Sequence, residues 1–572
     1  MGKVHPAVPE LLEQYRQGRI TRREFIRYAC LLGLSLASAE LMSSCKPAKT
    51  PTPQPTQAPV ATAKPTAAPT TVAQATATPQ PTAAPVQQVK RGGRLVVNAG
   101  ILRMEDPARA SETTAPNYMR PLCEYLTFTN EKNITVPFLL EKWEPSEDLK
   151  VWTLVLRKDV TFNNGDRLTA DDVVFCFKHW LTKETGSSLY GLMSYLKKDN
   201  VEKVDDFTIK LHLDSPQIAV PEHLFHYSAA IMNHRTFEGD IIKKPVGTGP
   251  FELAEYVPEE RVVWKKRTQV PYWRRGVDGK PLPYLDEIVF LPIGGDAAIP
   301  AFQASEFDIW SIASRETALA FKDDANVVLT TCPTGQCDVI RMKVDEKPWD
   351  NVKVRQALKL CLDRETILKT VYQGFGAIGH DHHVSPVHPE YCDIGVYPYD
   401  PKKAKALLAE AGYPDGIKAE IVCDPYLVPL AEQIQQSAAP GGFELKVTPM
   451  PNYWDVWTKV PLGITNWAHR PLGTMVLRLA YTCDAEGKPV PWNETFWCDN
   501  EFNLLLNQAE GTVDVEKRRR IMCQLEKIQQ ERGSIAITVF EARFGLCQKY
   551  VKGYGGAHPG AAFYVNDVWL DK

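Results

Sequence analysis

The chain has 572 residues, 24% of them charged and 44% hydrophobic, which excludes a wholly disordered protein and supplies length for two or three domains around substantial cores. Its 66 basic and 69 acidic residues give a formal net charge of -3, leaving no concentrated basic face for nucleic acid. Its 13 cysteines are too few for a disulfide scaffold, and no pair of close CxxC motifs marks a structural zinc site.

The first segment reads as an address. Arg22 and Arg23 precede an uncharged stretch over 28–39, closed by Glu40 and shorter than the ~20 apolar residues that span a bilayer. The paired arginines resemble a twin-arginine export signal, with a general secretory signal as the alternative. Leu41-Met42-Ser43-Ser44-Cys45 is similar to a bacterial lipobox, so Cys45 is the expected lipidated first residue of the mature chain; Met42 stands where leucine is usual. Residues 1–45 are thus a lipoprotein signal peptide. Residues 46–90 follow as a linker, built up to Val89 only from Pro, Thr, Ala, Gln, Val and three lysines, with nothing to bury.

From Arg91 the composition changes. Gly92-Gly93 and the β-branched run after it read as a turn and a short strand, and 152–157 alternates in strand fashion. Phe162-Asn163-Asn164-Gly165-Asp166 is turn chemistry, and Thr169 caps a helix whose first turn carries Asp171 and Asp172. Helical periodicity returns over 352–362 and again from Asp363. Asp400 caps a further helix with Pro401 at its first position and Gly412 at its stop. Strands and helices mix without a strict βαβ rhythm, so the expected class is α/β.

These segments resemble the extracellular solute-binding proteins that serve dipeptide, oligopeptide and nickel importers. The resemblance rests on nine short motifs in order: Gly92-Gly93, 137–143, 152–157, 162–165, 168–173, 246–251, 283–288, Val354-Arg355-Gln356-Ala357-Leu358 with Asp363-Arg364, and 399–416. It implies a two-lobe, type II periplasmic-binding-protein-like fold of cluster C, with an extra domain. By analogy lobe I comprises 91–120, 232–335 and 536–572, the extra domain 121–231, and lobe II 336–535. The family further implies a monomer without cofactor that hands a peptide or peptide-like solute to the permease and ATPase subunits of an ABC importer, from an anchored position outside the cytoplasmic membrane. Metal chelates and oligosaccharides are alternative ligands on the same fold. The competing class, an exported hydrolase, requires a catalytic constellation, and no GxSxG, HExxH or Walker-type loop is present.

Ligand-site candidates centre on Asn466, Trp467, His469 and Arg470. In peptide binders of the family this stretch supplies an aspartate for the ligand's ammonium; here His469 and Arg470 stand in its place, and no carboxylate occurs between Lys459 and Asp484. Arg470 offers a bidentate fork for a carboxylate or phosphate, which points to an anionic or amino-acid-conjugate ligand. Tyr118 with Asn117, and Trp492 with Asn493, are further pocket candidates. His380, His382 and His383 form the one metal-like cluster, weighed against a solvated loop. Gly374 to Gly379 matches GxGxxG but follows a predicted helix, so a loop is expected. Cys332 with Cys337 across a turn, and Cys483 with Cys498 across a loop, are the expected disulfides.

Overall fold

The computed structural model describes residues 89–484 and 486–572. The expectations for Arg22, Arg23 and Cys45, and for the linker up to residue 88, lie outside the described residues.

One sheet of 11 strands organises the described body, and its order explains how two cores are joined. Phe443–Pro449, Ile417–Cys423 and Leu462–Trp467 form one end; Ile309–Ala313, Arg94–Asn98, Glu287–Leu291, Arg261–Lys266 and Phe251–Val257 form the other. Between them run two long antiparallel strands, Val327–Met342 of 16 residues and Ile535–Gln548 of 14. At about 3.3 Å per residue each is long enough to serve both ends. Val327–Pro333 pairs with Ala542–Gln548, and beyond two register shifts, between Pro333 and Val339, Val339–Arg341 pairs with Ile535–Ile537. Proline cannot donate to a ladder, so the irregularity falls where Pro333 sits.

Each end buries its own core. Helices Val352–Leu360, Pro401–Glu410 and Val428–Ala438 place Leu358, Leu408 and Ile434 against Ile421 and Ile464. Asp400 caps the second of these by accepting from the Lys403 N–H at 2.9 Å. The other core gathers Leu95, Tyr118, Trp264 and Phe290, and runs on into a four-stranded sheet of Leu140–Pro145, Val151–Leu156, Thr208–His212 and Val201–Asp205. Trp152, Leu154 and Leu156 point inward from its second strand, beneath helix Ala170–Trp180. Among the described residues no helix is long and apolar enough to cross a membrane.

Three sequence expectations need correction here. Residues 333–336 are part of a long strand and not a turn, and Cys332 and Cys337 remain free thiols. An extended backbone carries residues five apart well beyond the ~7 Å Cα separation that a disulfide tolerates. The Cys483–Cys498 bridge is present, and a second, Cys392–Cys523, joins positions 131 apart that sequence alone did not pair. The GxGxxG stretch is not a loop throughout: Gly376–Ile378 is a short strand on Val539–Glu541. Gly376, at φ 136°, lies so near its neighbour that a Cβ would stand 2.5 Å from the Phe540 carbonyl oxygen. The His380 to His383 segment is buried and not a solvated loop. Asp381 turns inward to a bidentate pair with Arg364 at 2.6 and 2.7 Å, and also accepts from the Ile537 N–H.

Candidate functional site

A cavity of about 520 Å³ opens where the two halves of the sheet and the 111–227 region meet. That volume lies within the range of small-molecule sites. One wall comes from the end of strand Leu462–Trp467 and the residues after it: Asn466, Trp467, Ala468, His469, Arg470 and Pro471. Trp454, Trp457 and Trp492 extend this wall, while Arg120, Glu222, Phe225, Tyr227, Arg543 and His558 face it. Trp454 and Trp492 are about half exposed, at 54% and 50%, an unusual state for large aromatic rings and one that leaves them free to cover a ligand.

The aromatic wall is braced from behind. Trp467 donates its indole N–H to Glu494 Oε1 at 2.9 Å and meets Trp492 edge-on at 5.9 Å. Glu494 lies 3.4 Å from Arg341, both side chains fully buried. The Cys483–Cys498 bridge closes the loop that carries Trp492, and Asn493 tightens it through the carbonyls of Thr482 and Trp497. Asn493 therefore shapes the wall without lining it. Tyr118 is likewise absent from the lining: its ring lies in the core, stacked on Tyr256, and its hydroxyl donates to the Leu102 carbonyl. Its neighbour Asn117 holds the 561–563 segment, donating to the Ala561 carbonyl and accepting from the Phe563 N–H.

His469 is a latch. Its Nδ1 accepts from the Gly335 N–H at 2.9 Å, so Nε2 carries the proton it donates to Asn133 Oδ1 at 3.0 Å. Asn133 in turn donates to the Pro471 carbonyl. His388 accepts from the Ser385 N–H and donates to the Arg470 carbonyl at 2.8 Å. Burial pushes both histidines down from their ordinary pKa, which keeps them neutral in these roles. His382 and His383 are buried too; His383 Nδ1 meets the Tyr481 hydroxyl and its Nε2 lies 3.2 Å from Cys337 Sγ. Among the described residues no group of three His, Cys, Asp or Glu is arranged to hold a metal ion.

The electrostatics of the wall are lopsided. Arg120, Arg470 and Arg543 all line the cavity, and none of them has a carboxylate within ion-pair distance among the described residues. Arg120 rests on the rings of Tyr125 and Phe225, each at 4.8 Å, and Arg470 donates only to the carbonyl of its neighbour His469. Burial pushes all three guanidinium groups down in pKa, as expected of cations short of countercharge. Of the carboxylates on the wall, Glu112 is occupied by Thr114, and burial pushes Glu222 up to about 7. The described lining thus carries an excess of positive charge.

Sequence reasoning missed Arg120, Arg543, Glu541 and the two tryptophans at 454 and 457. Arg543 and Glu541 sit on strand Ile535–Gln548, whose pattern gives no sign that its irregular middle faces a cavity. Glu541 accepts from Asn466 and Gln336, each at 3.2 Å, and Asp338 takes the same Asn466 amide at 2.8 Å. Burial and the nearby Asp338 charge push Glu541 up to about 7. A carboxyl raised from 4.5 favours the fold fully below the unfolded value, and that contribution is lost as pH rises through about 7. Glu541→Gln is therefore expected to melt higher than wild type at pH 8, with the gap closing by about pH 4.5. Thermal melts across that range check it; a gap that widens toward acid would contradict the assignment.

Comparison with known proteins identifies the family and the fold. The model of the bacterial extracellular solute-binding proteins, family 5, matches residues 135–486. The dipeptide-binding protein of Escherichia coli is 29% identical over 487 residues, covering 77% of this chain and 87% of its own. A di/tripeptide-binding protein of Pseudomonas aeruginosa is 29% identical over 444 residues, covering 69% and 79%. Among solved structures, HbpA2 from Haemophilus parasuis superposes with a TM-score of 0.72 at 25% identity, over 84% of this chain and all of that one. The fold is thus the two-lobe α/β architecture with an extra domain, and the chain belongs to the family 5 bacterial extracellular solute-binding proteins.

Proposed function

We propose that this solute-binding protein captures a peptide or peptide-like solute bearing an anionic group and delivers it to the permease and ATPase subunits of an ABC importer. The observation that carries the anionic preference is the trio Arg120, Arg470 and Arg543, which line one cavity with no carboxylate within ion-pair distance among the described residues. The peptide character is supported by the dipeptide and di/tripeptide relatives, and the aromatic wall suits side chains of such solutes. The chain acts as a monomer, carries no cofactor and performs no chemistry on the solute. Lobe I follows 91–120, 232–335 and 536–572, the extra domain 121–231, and lobe II 336–535; the register shifts near Pro333 and Cys337 are the hinge about which the lobes close. Export follows the Arg22-Arg23 signal, and a lipid on Cys45 tethers the body to the outer face of the cytoplasmic membrane.

The test is native mass spectrometry of the full chain taken gently from its source. The expected spectrum shows a retained small solute with a carboxylate or phosphate. A chain that retains nothing, and whose melting temperature no anionic peptide or amino-acid conjugate raises, would overturn the reading.

A further inference from the structure

Beside the main cavity lies a chamber of about 180 Å³, and the two share Arg543, His558, Ala561 and Ala562 in their walls. It has room for roughly six waters by volume, the scale of a small polar end group and not of a whole solute. Its remaining wall is formed by residues 311–315, Gln336, Glu541, Ala542 and Phe544. Two cations and one carboxylate therefore converge on a space too small for a peptide.

The hydrogen bonding of these groups is incomplete. Glu541 Oε1 accepts from Asn466 and Gln336, while Oε2 has no hydrogen-bond partner among the described residues. Arg315 donates Nη1 to the Val371 carbonyl at 2.8 Å and lies over the Tyr372 ring, but its Nε is buried without a partner. Arg543 donates Nη2 to Gln336, and its Nε is also buried without a partner. Behind Glu541, Asp338 is fully engaged by Asn466 and by the Tyr372 hydroxyl at 2.7 Å. The two buried Nε atoms do not face the chamber; what it offers is the carboxylate of Glu541 beside the cationic side chains of Arg315 and Arg543, a charge pattern that suits an occupant bearing both an ammonium and an anionic group. The occupant needs a donor for Glu541 and acceptors for the arginines.

Building on the reading above, we propose that this chamber is a head-group subsite for a free α-amino acid terminus, with the ammonium on Glu541 and the carboxylate on Arg543 and Arg315. The rest of the solute then lies along the tryptophan wall. An ordinary peptide amino terminus supplies only half of this pattern, because its neighbouring carboxyl is spent in the amide bond. Side-chain-linked conjugates, such as γ-glutamyl compounds, keep both charges on one carbon. The ammonium partner absent from the Trp467 segment is thus supplied from strand Ile535–Gln548.

The discriminating probes are two isomers of equal composition and charge, γ-glutamyl-phenylalanine and α-glutamyl-phenylalanine, titrated calorimetrically into the full chain. The γ isomer is expected to bind at least about tenfold more tightly, since a site built for both charges rejects a ligand lacking one. Glu541→Gln and Arg543→Gln should each collapse that ratio toward unity; thermal melts confirm that the variants fold. A second readout is proton release. Glu541 is pushed up by burial and by Asp338, with Arg315 and Arg543 opposing and His558, held low by burial, contributing no charge. An arriving ammonium drives off its proton, so the wild type near pH 6.5 releases protons on binding the γ isomer and Glu541→Gln does not. Equal or better binding of the α isomer, a ratio unchanged in Glu541→Gln, or no proton release would each overturn the subsite. Failure of the γ isomer alone, with the α isomer or other anionic peptides still binding, removes the subsite and leaves the proposed function standing. Failure of every probe removes both.

Discussion

Replacing Asp381 with asparagine is expected to destabilise the protein by about 3–5 kcal/mol, the cost of breaking a buried pair while leaving its cation behind. Arg364 is buried and meets both Asp381 oxygens within 2.7 Å. The same carboxylate accepts from Ile537 on a strand that serves both sheet halves, so the pair ties the His380 to His383 segment to the centre of the sheet. Asparagine is the informative choice because Asp381 has φ 60°, a left-handed conformation that asparagine tolerates; shape and backbone are kept and only the charge is removed. Lys359, pushed down to about 7 by burial, also feels the Asp381 charge, so losing the carboxylate leaves a second buried amine without it. Combining the change with Arg364→Met should recover part of the loss, because the unpaired charge goes with it. Urea titration measures both; a single-variant loss below about 1 kcal/mol, the scale of an exposed pair, would sink the argument.

The second large effect falls on binding. Arg470→Gln is expected to weaken an anionic solute by about 2–5 kcal/mol, the usual result of truncating one partner of a desolvated charge pair. The same variant should melt no lower than wild type. Among the described residues the Arg470 side chain hydrogen-bonds only to the carbonyl next to it and has no ion-pair partner, so the empty protein loses little and sheds an uncompensated charge. Calorimetry with an anionic dipeptide, beside a melt, separates the two outcomes. A neutral dipeptide should be affected far less. If both peptides lose affinity equally, the residue shapes the wall and does not read charge.

Much of the fold was legible because its signals are local. Asp400-Pro401 and Thr169 with its acidic first turn mark helix starts wherever the chain goes next, and the Trp152 alternation names its own buried face. The site was legible only where one short segment holds several functional groups, as at Asn466 to Arg470. Its other residues arrive from distant segments: Arg120 from the end of a short helix, Glu541 and Arg543 from a strand, His558 from the C-terminal tail. Nothing near them in sequence reports a cavity. Two readings failed for a shared reason. The His380 to His383 loop looked polar and the 333–336 stretch looked like a turn, yet the first is buried with Asp381 accepting from Ile537 of strand Ile535–Gln548, and the second is extended by pairing with that same strand. The Cys392–Cys523 bridge was invisible for the same cause, since its partners meet only in the folded body.

The most direct test of anionic solute capture is the intrinsic tryptophan emission of the full chain during titration with anionic and neutral di- and tripeptides at low ionic strength. Trp454 and Trp492 are half exposed at the cavity while Trp467 is the buried tryptophan of the same wall, so closure over a solute removes water from two indoles at once. The predicted result is a saturable blue shift for anionic peptides, much weaker for neutral ones. An emission spectrum that no peptide moves, or that neutral and anionic peptides move alike, would contradict it.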